Sequence, residues 1–343
     1  MPCSGFVNTA TCNGAVMTAA VPELLTLLLG TVTLRPYVFI FLAVCLLAGT
    51  LQFGCKRTLG FIAGGYLLVF LSEYSSTRTG FPFGFYYYID TTHQQELWIS
   101  NVPFMDSLSF TFLAYASYTT ALCLCSPLWR TRYDVQIVDT KAIRRSPTVL
   151  ALAVTFFVLS DVVIDPLALR GSRWFLGQIY GYYEEGIYFG VPLANFLGWG
   201  IVGIALVTWH RLLDGVFWPR PQRRRDWGVR WVPGLGLMGP LLYLGVYGFN
   251  VYMTFRIEEY LLGVVDLFLL LPVLVLAWTQ VVRSSTRATF ADIEAHCRDF
   301  PHSRLVWLCT SMGSSGTQVG EGLAQGVSAE PSEQTSGPSP GCS

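Results

Sequence analysis

Seven polar side chains in this 343-residue chain stand where polarity is expensive. Glu73 closes one long apolar run, Asp106 opens the next, and Asp161 and Asp165 close another. Asn195 lies just inside the run that follows, Asn250 near the end of its own run, and Asp266 interrupts the last one between Val265 and Leu267, about two turns from its start. When the apolar runs alternate in direction, all seven residues fall in the same outer half. Carboxyl groups at that depth usually face a bundle interior or a cavity, so their convergence from several runs marks a candidate site. A carboxylic acid kept neutral by desolvation can donate a proton, and a second carboxylate can take one, which is general acid–base chemistry.

Two aromatic stretches accompany these acids. From Ser72 to Asp90 the chain passes through Glu73, Arg78 and a Gly80, Pro82, Gly84 turn carrying Phe83, and ends on Tyr86, Tyr87 and Tyr88. From Asp161 to Gly200 it passes through Asp165-Pro166 and Tyr180-Gly-Tyr-Tyr, then reads Tyr188-Phe-Gly-Val-Pro-Leu-Ala-Asn195-Phe-Leu-Gly-Trp199. The second stretch repeats the grammar of the first, because Asn101-Val-Pro103 also leads from an aromatic outer loop into a helix. Plainer roles stand beside the chemical ones. Glu73 and Arg78 could form a structural ion pair, Asp106 could serve as an N-cap, and Asp165 could be a water-facing helix end terminated by Pro166. The tyrosine run could be an interfacial belt.

The elements that position these residues follow from composition. The chain is 52% hydrophobic and 13% charged, about half the charged share of soluble domains, and its apolar runs make it a polytopic membrane protein of all-α class. Seven clear spans are expected, near Pro36–Gly54, Leu59–Glu73, Asp106–Ser126, Pro147–Asp165, Val191–His210, Pro233–Met253 and Tyr260–Val282. Val16–Leu34, broken by Pro22 and Glu23, is a marginal eighth span or an interfacial helix. The domain reading is an N-terminal segment at 1–35, a membrane domain at 36–283, an amphipathic segment at 284–312 containing a short helix over Arg287–Cys297, and a disordered tail at 313–343. Basic residues gather in loops of one side, at Lys56 and Arg57, at Arg130 to Arg145 and at Arg211 to Arg230. The positive-inside rule makes these loops and the C-terminus cytoplasmic and puts the acids toward the opposite face of a cell membrane.

Several chemistries are excluded. Four dispersed histidines are too few for a di-iron hydroxylase, and the nine cysteines include no metal-knuckle or redox spacing, so no metal is expected. The only lysines, Lys56 and Lys141, lie in loops, which excludes a retinal-type Schiff base. Gly234-Leu-Gly-Leu-Met-Gly239 has the letters of a dinucleotide fingerprint, but it opens an apolar span, where small residues serve helix packing. Zero net charge gives no reason to expect a nucleic-acid partner.

Glu73, Arg78-Thr-Gly-Phe-Pro-Phe-Gly84 with its tyrosines, Val102-Pro103, Asp165-Pro166 and the Tyr188–Trp199 run together resemble the integral-membrane carotenoid hydratases, of the bisanhydrobacterioruberin hydratase and γ-carotene hydratase type. The likeness covers roughly 36–282 and departs at Asp106-Ser-Leu-Ser-Phe110, where some relatives are expected to carry a tryptophan. It implies addition of water to the terminal isopropylidene double bond of an acyclic ψ end without a cofactor. The implied partners are a substrate such as γ-carotene or lycopene, the lipid bilayer and other carotenoid biosynthesis enzymes. Such hydration needs a proton donor, a stabiliser for a tertiary cation and a base for water. Asp161 or Asp266 would be the acid, with Arg78 or polar neighbours stabilising the resulting carboxylate, and Asp165 or Glu73 would orient the water. Tyr86, Tyr87, Tyr88 and Trp199 would face the cation, with Phe83, Asp106, Tyr188 and Asn195 also at the substrate. The alternative reading is a transporter or lipid-binding module whose outer carboxylates form a cation path.

Overall fold

A computed structural model describes residues 23–217, 232–301, Ser303 and Leu305. The basic run from Arg220 to Arg230, residues before Glu23 and the tail at 313–343 lie outside the described residues. The chain forms a helical bundle in the order α1 (Glu23–Leu34), α2 (Pro36–Gln52), α3 (Cys55–Thr79), α4 (Phe104–Cys125), α5 (Lys141–Arg145), α6 (Pro147–Ala168), α7 (Leu193–Phe217), α8 (Met238–Arg256), α9 (Tyr260–Val282) and α10 (Phe290–Asp299). Three two-stranded antiparallel ladders join the loops. Strand β1 (Tyr86–Tyr88) pairs with β6 (Tyr180–Tyr182), β2 (Trp98–Ile99) with β3 (Val102–Pro103), and β4 (Leu128–Arg130) with β5 (Val135–Ile137).

A long helix stands at each of the seven expected places, but among the described residues not all seven have the length and apolarity of a span. Five helices, α3, α4, α6, α7 and α9, are long and apolar enough to cross a bilayer, and a sixth span results if α1 and α2, bent by 92°, are taken together. Seventeen residues of α2 extend about 26 Å, short of about 30 Å of hydrocarbon. In α8 the glycines, tyrosines and Asn250 dilute the apolar content.

Helix ends follow local chemistry. Ser146 caps α6 by accepting the Val149 amide at 3.2 Å, with Pro147 at the first helical position. Gly80 stops α3 in the left-handed conformation at φ 77°. Two expected stops are therefore displaced. The polar turn after Glu73 continues the helix to Thr79, and α6 runs through Pro166 to Ala168.

Helix α4 is the centre of the bundle, with seventeen of its 22 residues buried against α2, α3, α6 and α8. A Cβ built on Gly239 would lie 2.0 Å from the Thr119 hydroxyl, so the glycine motif serves the close approach of α8 to α4. Helix α9 is peripheral, burying only Leu262, Gly263, Asp266 and Val273.

The two ends of the bundle differ. At one end Arg57, Arg144 and Asp214 join α3, α5 and α7, and Asp139 pairs with Arg144 and with His296 of α10. The short helix expected over Arg287–Cys297 is α10, begun by a capping box at Thr289 and Asp292 and packed through Ile293 on Val138 and Leu305. At the other end the β1–β6 ladder spans the mouths of α3, α4, α6 and α7. The candidate site lies beneath it.

Candidate active site

Each acid here is held by a helix end and met by a tyrosine from the ladder. Glu73 is buried on the outer part of α3, where Ser107 of α4 bonds one carboxyl oxygen and the Tyr88 hydroxyl lies 3.0 Å from the other. The same hydroxyl is 2.7 Å from Asp106, in the first turn of α4, and receives the Tyr86 hydroxyl at 3.3 Å. Across the ladder Asp165 accepts from Tyr180 at 2.7 Å, Tyr182 at 2.8 Å and Asn195 Nδ2 at 2.7 Å. Burial first and the Asp165 carboxylate second push the Tyr180 and Tyr182 phenols well above their ordinary range. Burial first, then Asp106 and Glu73, does the same for Tyr88. These phenols therefore remain hydroxyl donors at neutral pH.

Glu73, Asp106, Asp165 and Asn195 line one cavity of about 960 Å³, mouth included, together with Tyr86, Tyr88, Tyr180 and Tyr182. Its remaining wall is largely apolar. Trp199 stacks on Phe110 at 4.2 Å between centroids and lies 4.6 Å from Phe157, while Phe83 packs 5.8 Å from Phe110. Carboxyls at one end of an aromatic chamber can exchange protons with an apolar ligand whose positive charge the ring faces would stabilise.

Eight of the thirteen expected site residues line this chamber: Glu73, Phe83, Tyr86, Tyr88, Asp106, Asp165, Asn195 and Trp199. The other five do not, each for a physical reason. Arg78 is exposed on the extended end of α3, stacked 3.4 Å over the Tyr74 ring and bonded to Asn101 Oδ1 at 2.8 Å, so it does not pair with Glu73. Tyr87 points the other way because successive side chains of a strand alternate; it packs on Tyr183 at 5.0 Å. Asp161, one turn deeper than Asp165, is screened by Asn195, whose Nδ2 donates to it at 2.7 Å. Tyr188 packs against Phe189 and Phe196. Asp266 is fully buried on peripheral α9, outside the cavity lining.

Tyr180, Tyr182 and Ser107 also hold the acids, although the sequence does not single them out as site residues. The alternation Tyr180-Gly-Tyr182 mirrors Tyr86-Tyr-Tyr88 and was the available signal for the first two.

A family model described as carotenoid biosynthesis protein matches residues 23–279. The chain belongs to the carotenoid biosynthesis protein family. No curated protein and no solved structure gives a significant match. The family match runs from the start of α1 into the last turn of α9, so it takes in every helix that builds the chamber. Membership in the carotenoid biosynthesis proteins implies a carotenoid substrate, and the apolar helices place the chain among membrane proteins.

Proposed function

We propose that the chain catalyses cofactor-independent hydration of the terminal isopropylidene double bond of an acyclic carotenoid end group, giving a tertiary alcohol. The observation that carries this reading is the pairing, in one cavity, of hydrogen-bonded carboxyls with a wall of aromatic rings. Protonation of a trisubstituted alkene gives a tertiary cation. Aromatic faces stabilise such a charge by about 0.5 to 2 kcal/mol each, and a carboxylate can take the proton of the attacking water. Glu73, Asp106 and Asp165 are the acid–base candidates, ahead of Asp161 and Asp266, because they line the chamber. Phe83, Tyr86 and Trp199 would meet the reacting end. The long polyene would extend between helices toward lipid, with the reacting end in the non-cytoplasmic half of a cell membrane and the C-terminus cytoplasmic. Other carotenoid biosynthesis enzymes would supply the substrate and consume the product.

Chromatography and mass spectrometry of pigments from a host accumulating lycopene or γ-carotene, with and without this chain, test the proposal. A pigment heavier by one water is the expected result. Unchanged pigments with altered ion flux would favour the transport reading instead.

A further inference from the structure

The two halves of the site are built alike. Glu73 and Asp165 lie near the ends of α3 and α6, and each is followed five residues later by an arginine whose Nη1 bonds a carbonyl four residues back: Arg78 to Tyr74 at 3.0 Å and Arg170 to Pro166 at 2.8 Å. Tyr-X-Tyr strands follow. Then come Ser100 and Phe189, non-glycine residues with φ of 57° and 49°, each three residues before the proline of a Val-Pro pair. Three residues after those prolines stand Asp106 and Asn195. The strands pair antiparallel, Tyr86 opposite Tyr182 and Tyr88 opposite Tyr180, so a local two-fold axis passes between Tyr87 and Gly181. The helices obey it too, α3 packing on α4 and α7 while α6 packs on α7 and α4. Asp106 and Asn195 are thus counterparts in two half-sites facing one cavity, and there the symmetry breaks.

Hydrogen counting shows what the break does. Tyr88 has one hydroxyl hydrogen and two carboxyl neighbours, so one contact is a hydrogen bond only if that carboxyl carries its own proton. With Asp106 the nearer acceptor, the proton falls on Glu73. This half-site stores a transferable proton. In the other, Asp165 receives three donors, the arrangement of an ionised carboxylate, and Asn195 Nδ2 donates to both Asp161 and Asp165.

Resting on the hydration reading, we infer that the half-sites divide the reaction: Glu73, with Asp106 and Tyr88, delivers the proton, while Asp165, held by Tyr182 and Asn195, orients the water and takes its proton. The Glu73 O–H bond breaks as a C–H bond forms at the less substituted alkene carbon. Water oxygen then bonds the tertiary cation, and one of its protons passes to Asp165. Alkene and water become the alcohol, with one proton moved between half-sites and restored by exchange with solvent. Tyr86 and Tyr88 make that exchange accessible, because they also line a separate polar pocket with Asp90, His93, Ser100 and Asn101.

The test uses the full chain in isolated membranes, supplied with unlabelled lycopene in deuterated buffer. Wild type should give the hydrated, deuterium-bearing product. Asp165→Asn should lose hydration at least 100-fold yet still exchange deuterium into recovered lycopene, because the cation forms and reverts. Glu73→Gln should lose both. Asp106→Asn and Tyr182→Phe serve as second variants of the two half-sites where either first variant accumulates poorly; the former should depress exchange and the latter only hydration. Deuterium exchange that survives Glu73→Gln, or that disappears with Asp165→Asn at normal protein level, overturns the division of roles. A wild type that yields no hydrated pigment overturns the hydration reading itself, a separate outcome.

Discussion

At the scale of single residues, what distinguishes one half of this site is a single tyrosine hydroxyl that serves two carboxyls. Tyr88 lies between Glu73 and Asp106, and deleting its hydroxyl leaves the buried Glu73 carboxyl and the half-buried Asp106 carboxyl with no shared donor. Tyr88→Phe should lower hydration by about 10²-fold or more, within the range general acid–base groups contribute, while the protein level stays near wild type. Product formation per unit of chain in membranes measures it. On the proposed reading Trp199 would act differently, through its ring face. Trp199→Leu should cost about 0.5 to 2 kcal/mol of cation stabilisation beyond its packing loss, so conversion should fall several-fold or more without a change in pigment regiochemistry. The acids were legible in the sequence because carboxyls are costly in lipid, whichever way they point. Their facing was not. Asp266 stands out for its isolation in an apolar run, yet depth along a helix says nothing about which side of that helix meets the cavity. Tyr87 reads like its neighbours in the sequence because its partner strand lies more than ninety residues away, and only the pairing reveals the alternation.

At the scale of elements, the turn between α3 and β1 is set by close backbone contact rather than by side-chain charge. A Cβ on Gly198 of α7 would lie 2.6 Å from the Pro82 carbonyl oxygen and 2.7 Å from the Phe83 ring, so α7 serves as the floor on which Phe83 rests. Gly198→Ala should push that turn outward, costing about 1 to 3 kcal/mol of stability and lowering conversion disproportionately. Comparing melting temperature with product yield separates the two effects. Helix positions were readable from apolar runs, since a bilayer fixes the needed length. Span count was not, because α2 is short and α8 hides polar groups on a buried face: Tyr243 bonds the Phe156 carbonyl at 3.0 Å and Tyr247 that of Asp266 at 2.9 Å. Satisfying donors inside the bundle makes a less apolar helix tolerable.

At the scale of the whole molecule, the end opposite the cavity is an ionic clasp. Burial alone would raise the Asp139 carboxyl, but Arg144, followed by His296, outweighs it and holds the group below the ordinary aspartate range. A carboxyl depressed on folding stabilises the native state above its unfolded pKa, and that stability is lost as pH falls toward the native value. Acidification should therefore loosen this end first. Asp139→Asn should destabilise by about 3 to 5 kcal/mol, because it leaves the Arg144 charge buried with one partner fewer, and should flatten the acid dependence of thermal unfolding in detergent. Hydration measured below the melting temperature should change little, since Asp139 lies at the end remote from the chamber.

The ladder between β1 and β6 has a consequence for how the chain can be cut. Each half-site takes its acid and its tyrosines from one side of the β4–β5 hairpin, yet the chamber closes only when the two strands meet. Two fragments divided at the hairpin turn near Arg132 and produced together should reassemble in the membrane and regain hydration, while neither alone should do so. Recovery of product from the separated pair, read against each fragment by itself, would make this enzyme a heterodimer in practice.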